Sequence, residues 1–189
     1  MKNARWDEYV FTIKNLSTYP VIVMNIRLVD PRGTNIESNL NPEQLEEKSK
    51  ALIKEYKIIG ISVAIGAAPA IVAGTAASAG AVGTYLGASM LTPVAFFAAP
   101  VVYSMGKYTD MKDKERIEGE FNKRRLTMFT LSDNEAIRGS AFFPIVPNPK
   151  TLVFEYQTQN KIKALGMSLE KIAGLHIGPP KKPEKEELK

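Results

Sequence analysis

Residues 58–106 read IIGISVAIGAAPAIVAGTAASAGAVGTYLGASMLTPVAFFAAPVVYSMG. These 49 residues contain no Asp, Glu, Lys, Arg or His, in a chain whose charged fraction is 24%. A soluble helix commonly runs about 10–14 residues, whereas a helix that crosses a bilayer needs about 20 apolar residues at 1.5 Å rise each. The block is too long for one span and fits two. Gly80-Ala81-Val82-Gly83 has the weakest helix formers and the smallest side chains, so it marks the turn between them. Two transmembrane helices are therefore expected, near 58–79 and 84–106, each roughly 33–35 Å long. Tyr56, Tyr103 and Tyr108 would sit at one membrane interface and Tyr85 at the other, with Lys54, Lys57 and Lys107 as flanking charge. Pro69, Pro93 and Pro100 fall inside these helices, where membrane helices accept them as kinks. Two other readings stay open for the block: a helical hairpin buried in a soluble oligomer, and a low-complexity linker.

Small residues dominate the middle of the block, at Gly66, Gly74, Ala77, Gly80, Gly83 and Gly87. Spaced three or four apart, they let helix backbones approach closely, and Gly83-x-x-x-Gly87 is a direct match to that packing motif. Over about residues 60–90 this pattern resembles the glycine zippers of bacterial envelope proteins. The resemblance implies helices that pack against copies of themselves in an envelope assembly.

Working outward, Asn41-Pro42-Glu43 carries a helix start: Asn as cap, Pro at the first helical position, an acid in the first turn. Leu45, Leu52, Ile53 and Tyr56 continue at helical spacing, so a charged helix over 42–57 is expected to run directly into the block. A second charged helix over 107–124 leaves it, and the two would pair as antiparallel stalks. Both ends of the chain read as strands. Tyr9, Phe11 and Ile13 alternate with polar residues, and over 21–29 Ile22, Met24, Ile26 and Leu28 share one face. Strands are also expected at 126–131, 136–143, 151–158 and 161–169, with turns or Pro-rich loops between them.

Two strands alone are marginal, whereas six can close a sandwich. The expected architecture is α+β: a small immunoglobulin-like β-sandwich from residues 1–40 and 125–177. A long helical hairpin, 41–124, is inserted between its halves, with 58–106 in the membrane and 178–189 as a charged tail.

The chemical inventory is thin. The chain has no cysteine, which excludes disulfides, thiolate metal sites and a cysteine nucleophile. His176 is the only histidine, so a two-histidine metal site lacks its partner, and it reads as an exposed or packed terminal residue. The run Gly74–Gly87 lacks the Lys-Ser/Thr of a phosphate loop. The acids Asp110, Asp113, Glu115, Glu118 and Glu120 alternate with lysines and read as a salt-bridged helix face. Net charge is +5, with no basic patch interleaved with aromatics, so no nucleic-acid partner is expected. Residues 1–8 contain no apolar signal core.

The functional expectation is non-enzymatic, with no cofactor and no small-molecule substrate. It is a membrane-associated structural or assembly component of a bacterial cell-envelope complex, homo-oligomeric or within a larger protein complex. The hairpin would oligomerise in the membrane and the sandwich would bind a protein partner. The alternative is a pore-forming or membrane-permeabilising protein.

Overall fold

The computed structural model describes residues 2–3, 6–64, 94–97, 103–104, 107–108, 111–169 and 174–178. Their elements, in chain order, are β1 (Lys2–Asn3), β2 (Trp6–Asn15), β3 (Val21–Val29), β4 (Asn35–Glu37), α1 (Pro42–Ile58), β5 (Val94–Phe97), β6 (Tyr103–Ser104), β7 (Lys107–Tyr108), α2 (Met111–Arg124), β8 (Phe129–Leu131), β9 (Ala136–Pro144), β10 (Thr151–Thr158) and β11 (Lys161–Ser168).

Two antiparallel sheets face each other. One has the order β11-β10-β3-β4, with β8 also on β3; in the other, β2 lies between β9 on one edge and β5 and β6 on the other. The chain ends meet here, because β2 pairs with β9 and β3 with β10. Tyr9, Phe11 and Ile13 of β2 point inward onto Val23, Leu28, Leu152 and Phe154. The rings of Phe11 and Phe154 meet edge to face at 5.0 Å, and those of Tyr9 and Phe143 at 5.5 Å. Such pairs add about 0.5–1.5 kcal/mol beyond their buried area.

On β3 the burial phase flips midway. Val21 and Val23 are buried, then Ile26 and Leu28. Strict alternation put Ile22 and Met24 on the inner face instead. The cause is a bulge: Glu155 of β10 pairs with Asn25 but Tyr156 pairs with Val23, which leaves Met24 unopposed. One extra residue turns every later side chain to the other face. Asn25 Oδ1 accepts the Ile26 N–H at 2.8 Å and so satisfies a backbone donor beside the bulge. Both faces of β3 are apolar in sequence, so alternation could not reveal the slip.

The helix start at residue 41 is as expected. Asn41 and Gln44 form a reciprocal capping box. The helix end is not as expected. Instead of continuing into the uncharged block, α1 stops at Ile58. Gly60 adopts φ +81°, its N–H bonds to the Lys57 carbonyl, and the Ile61 N–H bonds to the Tyr56 carbonyl. These are the two hydrogen bonds of a Schellman cap, which uses glycine in the left-handed conformation to end a helix. Gly60 is the breaker that helical spacing alone passed over.

The long hairpin with two transmembrane helices is thereby corrected. Among the described residues the fold is mostly β-sheet with two short helices of 17 and 14 residues, and no helix there is long and apolar enough to cross a membrane. Where the second membrane helix was expected, Val94–Phe97 and Tyr103–Ser104 are strands along β2. Val94 lies opposite Asn15, whereas Ala64 is linked through the His176 ring to Asp7, eight residues away on the same strand. That separates the two anchors by about 26 Å. The expected hairpin would have kept residues 64 and 94 within roughly 15 Å of each other. The remainder of the block, 65–93, 98–102 and 105–106, lies outside the described residues, and with it the turn at 80–83, as does the tail from 179.

The helices cover the outer face of the β2–β9 pair rather than forming stalks. Leu45 of α1 and Phe121 of α2 close over Trp6 and Phe142, with Phe121 and Phe142 rings 4.1 Å apart. This explains why the Trp6 end of β2 and the Pro144 end of β9 are buried on both faces. Ser49 locks α1 in place, accepting the Ile145 N–H at 2.9 Å while its own hydroxyl donates to the Leu45 carbonyl.

β11 has no second neighbour among the described residues. Lys163, opposite the inward-facing Tyr156, is exposed and puts a charge on the face that would otherwise be apolar. Charge on an edge strand blocks edge-to-edge pairing. Lys163→Ile should therefore produce concentration-dependent self-association, visible as a shift in light-scattering mass, with little change in unfolding midpoint.

Candidate functional site

Among the described residues three acidic side chains are buried in the sandwich, and each is answered differently. Glu8, on the outer face of β2, accepts from both Arg124 (3.0 Å) and the Ser140 hydroxyl (2.7 Å), which ties α2 to β9. Asp30 accepts from the Arg32 and Thr34 N–H groups, the Arg32 guanidinium and the Tyr56 hydroxyl, all at 2.8 Å. Burial by itself would raise its pKa; these donors outweigh it and hold the carboxyl below its ordinary value. Both groups join one element to another.

Asp7 differs. It lies on the inward face of β2, in line with Tyr9, Phe11 and Ile13, and its carboxylate faces His176. The imidazole Nε2 is 2.9 Å from Asp7 Oδ1 and 3.0 Å from Oδ2, and Nδ1 is 3.3 Å from the Ala64 carbonyl oxygen. Asp7 is fully buried and His176 is 2% exposed. His176 adopts φ +57° in a turn that begins at Gly174, and this aims its ring into the sandwich.

The turn is itself bonded to the start of the uncharged block. The Ala64 N–H donates to the His176 carbonyl (2.9 Å), the Gly178 N–H donates to the Ser62 carbonyl (2.7 Å), and Val63 bridges Ile177. One side-chain pair thus fixes two strips of backbone, 61–64 and 174–178, to the end of β2.

The proton count of this pair follows from the geometry. A carboxylate and a carbonyl only accept, so an imidazole facing both needs one hydrogen in each of the two contacts. The pair meets that need as imidazolium and carboxylate, or as a neutral imidazole bonded to a carboxylic acid, and both forms hold the same number of protons. Burial raises Asp7 against the opposing hydrogen bond and charge of His176. For His176, burial works to lower the value, but the hydrogen bond and charge of Asp7, with the Ala64 carbonyl, overcome it and leave it raised. Both directions say that the folded state holds the shared proton tightly.

Tyr9 lies two residues further along the same face. Its hydroxyl is buried without a hydrogen-bond partner among the described residues, and burial first, then the Asp7 charge, raise its pKa well above the ordinary value. An unmet buried hydroxyl costs about 1–3 kcal/mol. Tyr9→Phe should leave stability unchanged or raise it by about 1 kcal/mol, read from the denaturant midpoint.

A shallow cleft of about 100 Å³ lies beside the β3 bulge, lined by Met24, Asn25, Ser38, Asn39, Arg125 and Met128 among others. Among the described residues no group of three His, Asp or Glu side chains is placed to hold a metal.

The residues expected at a membrane interface are dispersed. Lys54 and Lys57 are exposed on the last turns of α1. Tyr56 is fully buried and bonded to Asp30. Tyr103 lies in β6 and Lys107 in β7. Tyr85 and the packing positions Gly66, Gly74, Ala77, Gly80, Gly83 and Gly87 lie outside the described residues. His176, read from sequence as an exposed or packed terminal residue, is a buried linchpin. The available signal was Asp7: an acid at an inward position of an apolar strand needs a partner, and the chain has one histidine.

Compared with family models, curated proteins and solved structures, the chain matches none.

Proposed function

We propose that the chain is a non-enzymatic assembly component of a bacterial cell-envelope complex. In this reading the sandwich is the partner-binding body, and the uncharged segment associates with a membrane surface and with other copies, without a pair of spanning helices. One observation carries the proposal: the exposed surface where that segment departs. Ile58 is 84% exposed and Ile59 53%, and Ile177, bridged to Val63, is 45% exposed. Exposed Lys54 and Lys57 stand on the same helix end. Apolar side chains next to lysines, at the root of an uncharged segment, suit the boundary between headgroups and acyl chains.

Vesicle flotation tests the membrane half. Full-length protein should float with phosphatidylethanolamine/phosphatidylglycerol liposomes, and Ile58→Glu with Ile59→Glu should reduce the floated fraction several-fold. Wild-type protein left entirely at the bottom of the gradient would contradict it. Gly83→Leu with Gly87→Leu tests the assembly half by cross-linking in detergent: smaller assemblies are expected, and unchanged ones would contradict self-association through those glycines. Release of a trapped dye by the wild type would favour permeabilisation over scaffolding.

A further inference from the structure

We propose that Asp7 and His176 form a proton-dependent clamp on the root of the uncharged segment, holding residues 61–64 on the sandwich while the pair keeps its shared proton and releasing them when that proton is lost. The clamp rests on the function proposed above, since what it regulates is the segment assigned there to membrane and self-association.

The geometry leads to this in three steps. The side chains of Ile61 and Val63 pack against the sandwich core, but among the described residues the backbone of 61–64 has few bonds to the body of the fold. Ile61 closes the helix cap, and the remaining backbone bonds, at Ser62 and Ala64, go to the turn carrying His176. That turn is held by the Asp7–His176 pair, by the Asn148 N–H bonded to the Leu175 carbonyl (2.8 Å), and by the Gly174 N–H bonded to Asn148 Oδ1 (2.9 Å). Leu175 of the turn belongs to the same core that Ile61 and Val63 pack against, and the imidazole adds the polar link between segment root and sheet.

The second step is the effect of losing one proton. Whichever nitrogen of the neutral ring then keeps its hydrogen, the other presents a lone pair to an oxygen lone pair, either of the Asp7 carboxylate or of the Ala64 carbonyl. An acceptor facing an acceptor in a buried site is repulsive and leaves a polar group unmet. The third step is isolation. The charged or titratable groups facing the ring among the described residues are Asp7 and, beyond it, Tyr9, both from β2. The strips 61–64 and 174–178 contribute no other ionisable side chain. Among the described residues, then, no neighbouring acid or base replaces the lost proton.

Amide hydrogen exchange on the full chain, without vesicles, tests the clamp alone. After correction for intrinsic exchange, protection of the Ala64 and Gly178 N–H groups should fall about tenfold for each pH unit above the pair's transition. Protection of the β2–β9 amides should stay nearly constant over the same range. Asp7→Asn supplies an amide donor to a neutral imidazole, so its Ala64 and Gly178 protection should be flat with pH, with circular dichroism confirming the fold. Wild-type protection that is flat between pH 6 and 9, or an unchanged pH dependence in Asp7→Asn, would overturn the clamp. The functional proposal is judged separately by flotation: failure to bind vesicles at any pH sinks that reading and leaves the exchange result standing.

Discussion

Replacing His176 with alanine is expected to lower the unfolding free energy by about 3–5 kcal/mol, the usual cost of removing one partner from a buried charged pair. The substitution leaves Asp7 inside the sandwich with its imidazole donor and cation gone. Asp7 will then take up a proton rather than stay charged, which limits the loss in acid and enlarges it as pH rises. The wild type should show a related trend. A histidine raised above 6.5 in the fold contributes stability that is complete below pH 6.5 and disappears as pH climbs through the folded value. Asp7, also raised, acts in the same direction. Urea midpoints from pH 6 to 9 should therefore decline for the wild type. Asp7→Asn should show a flatter profile, and equal slopes in the two proteins would contradict the assignment.

Phe154→Ala should be as damaging, about 3–5 kcal/mol, for a different reason. Phe154 is completely buried at the centre of β10, opposite Ile26 and Leu165, and stacks edge to face on Phe11 of the other sheet. Its loss opens a cavity between the two sheets, and strands hydrogen-bonded on both sides cannot close around it. Ile162→Ala is the control: Ile162 is 69% exposed on the edge strand, and its truncation should stay within about 0.5 kcal/mol. Thermal or urea unfolding measures both, and comparable losses would mean that the two sheets do not share the core described.

Local chemistry in the sequence located much of this fold. Alternation at Tyr9, Phe11 and Ile13, the Asn41 cap, the charged second helix and the strands near 136–143, 151–158 and 161–169 are all legible from neighbours along the chain. Three features were not. The β3 bulge depends on register against β10, which no pattern within β3 encodes. The end of α1 depends on a single glycine in a run where glycines are common, so Gly60 did not stand out from those that follow. The third is the fate of Val94–Phe97. An uncharged run satisfies a sandwich edge as well as it satisfies a bilayer, and burial of apolar residues is blind to which one provides it. The candidate site was hidden for a related reason: Asp7 and His176 stand at opposite ends of the chain, and only the pairing of β2 with β9 and the turn after β11 bring them together.

The decisive feature of the fold is that Val94–Phe97 and Tyr103–Ser104, from the uncharged block, run along β2 as sandwich strands. The chain has no native cysteine, so an engineered pair reports without background. Thr12 and Phe97 are directly opposite in antiparallel register, where β-carbons lie about 4.5–5.5 Å apart, close to disulfide range. Thr12→Cys with Phe97→Cys should cross-link within the monomer under mild oxidation, while Thr12→Cys with Val94→Cys, three positions out of register, should not. If instead the thiol engineered at position 97 stays uncross-linked in the first pair and reacts freely with a water-soluble maleimide, the strand assignment is wrong.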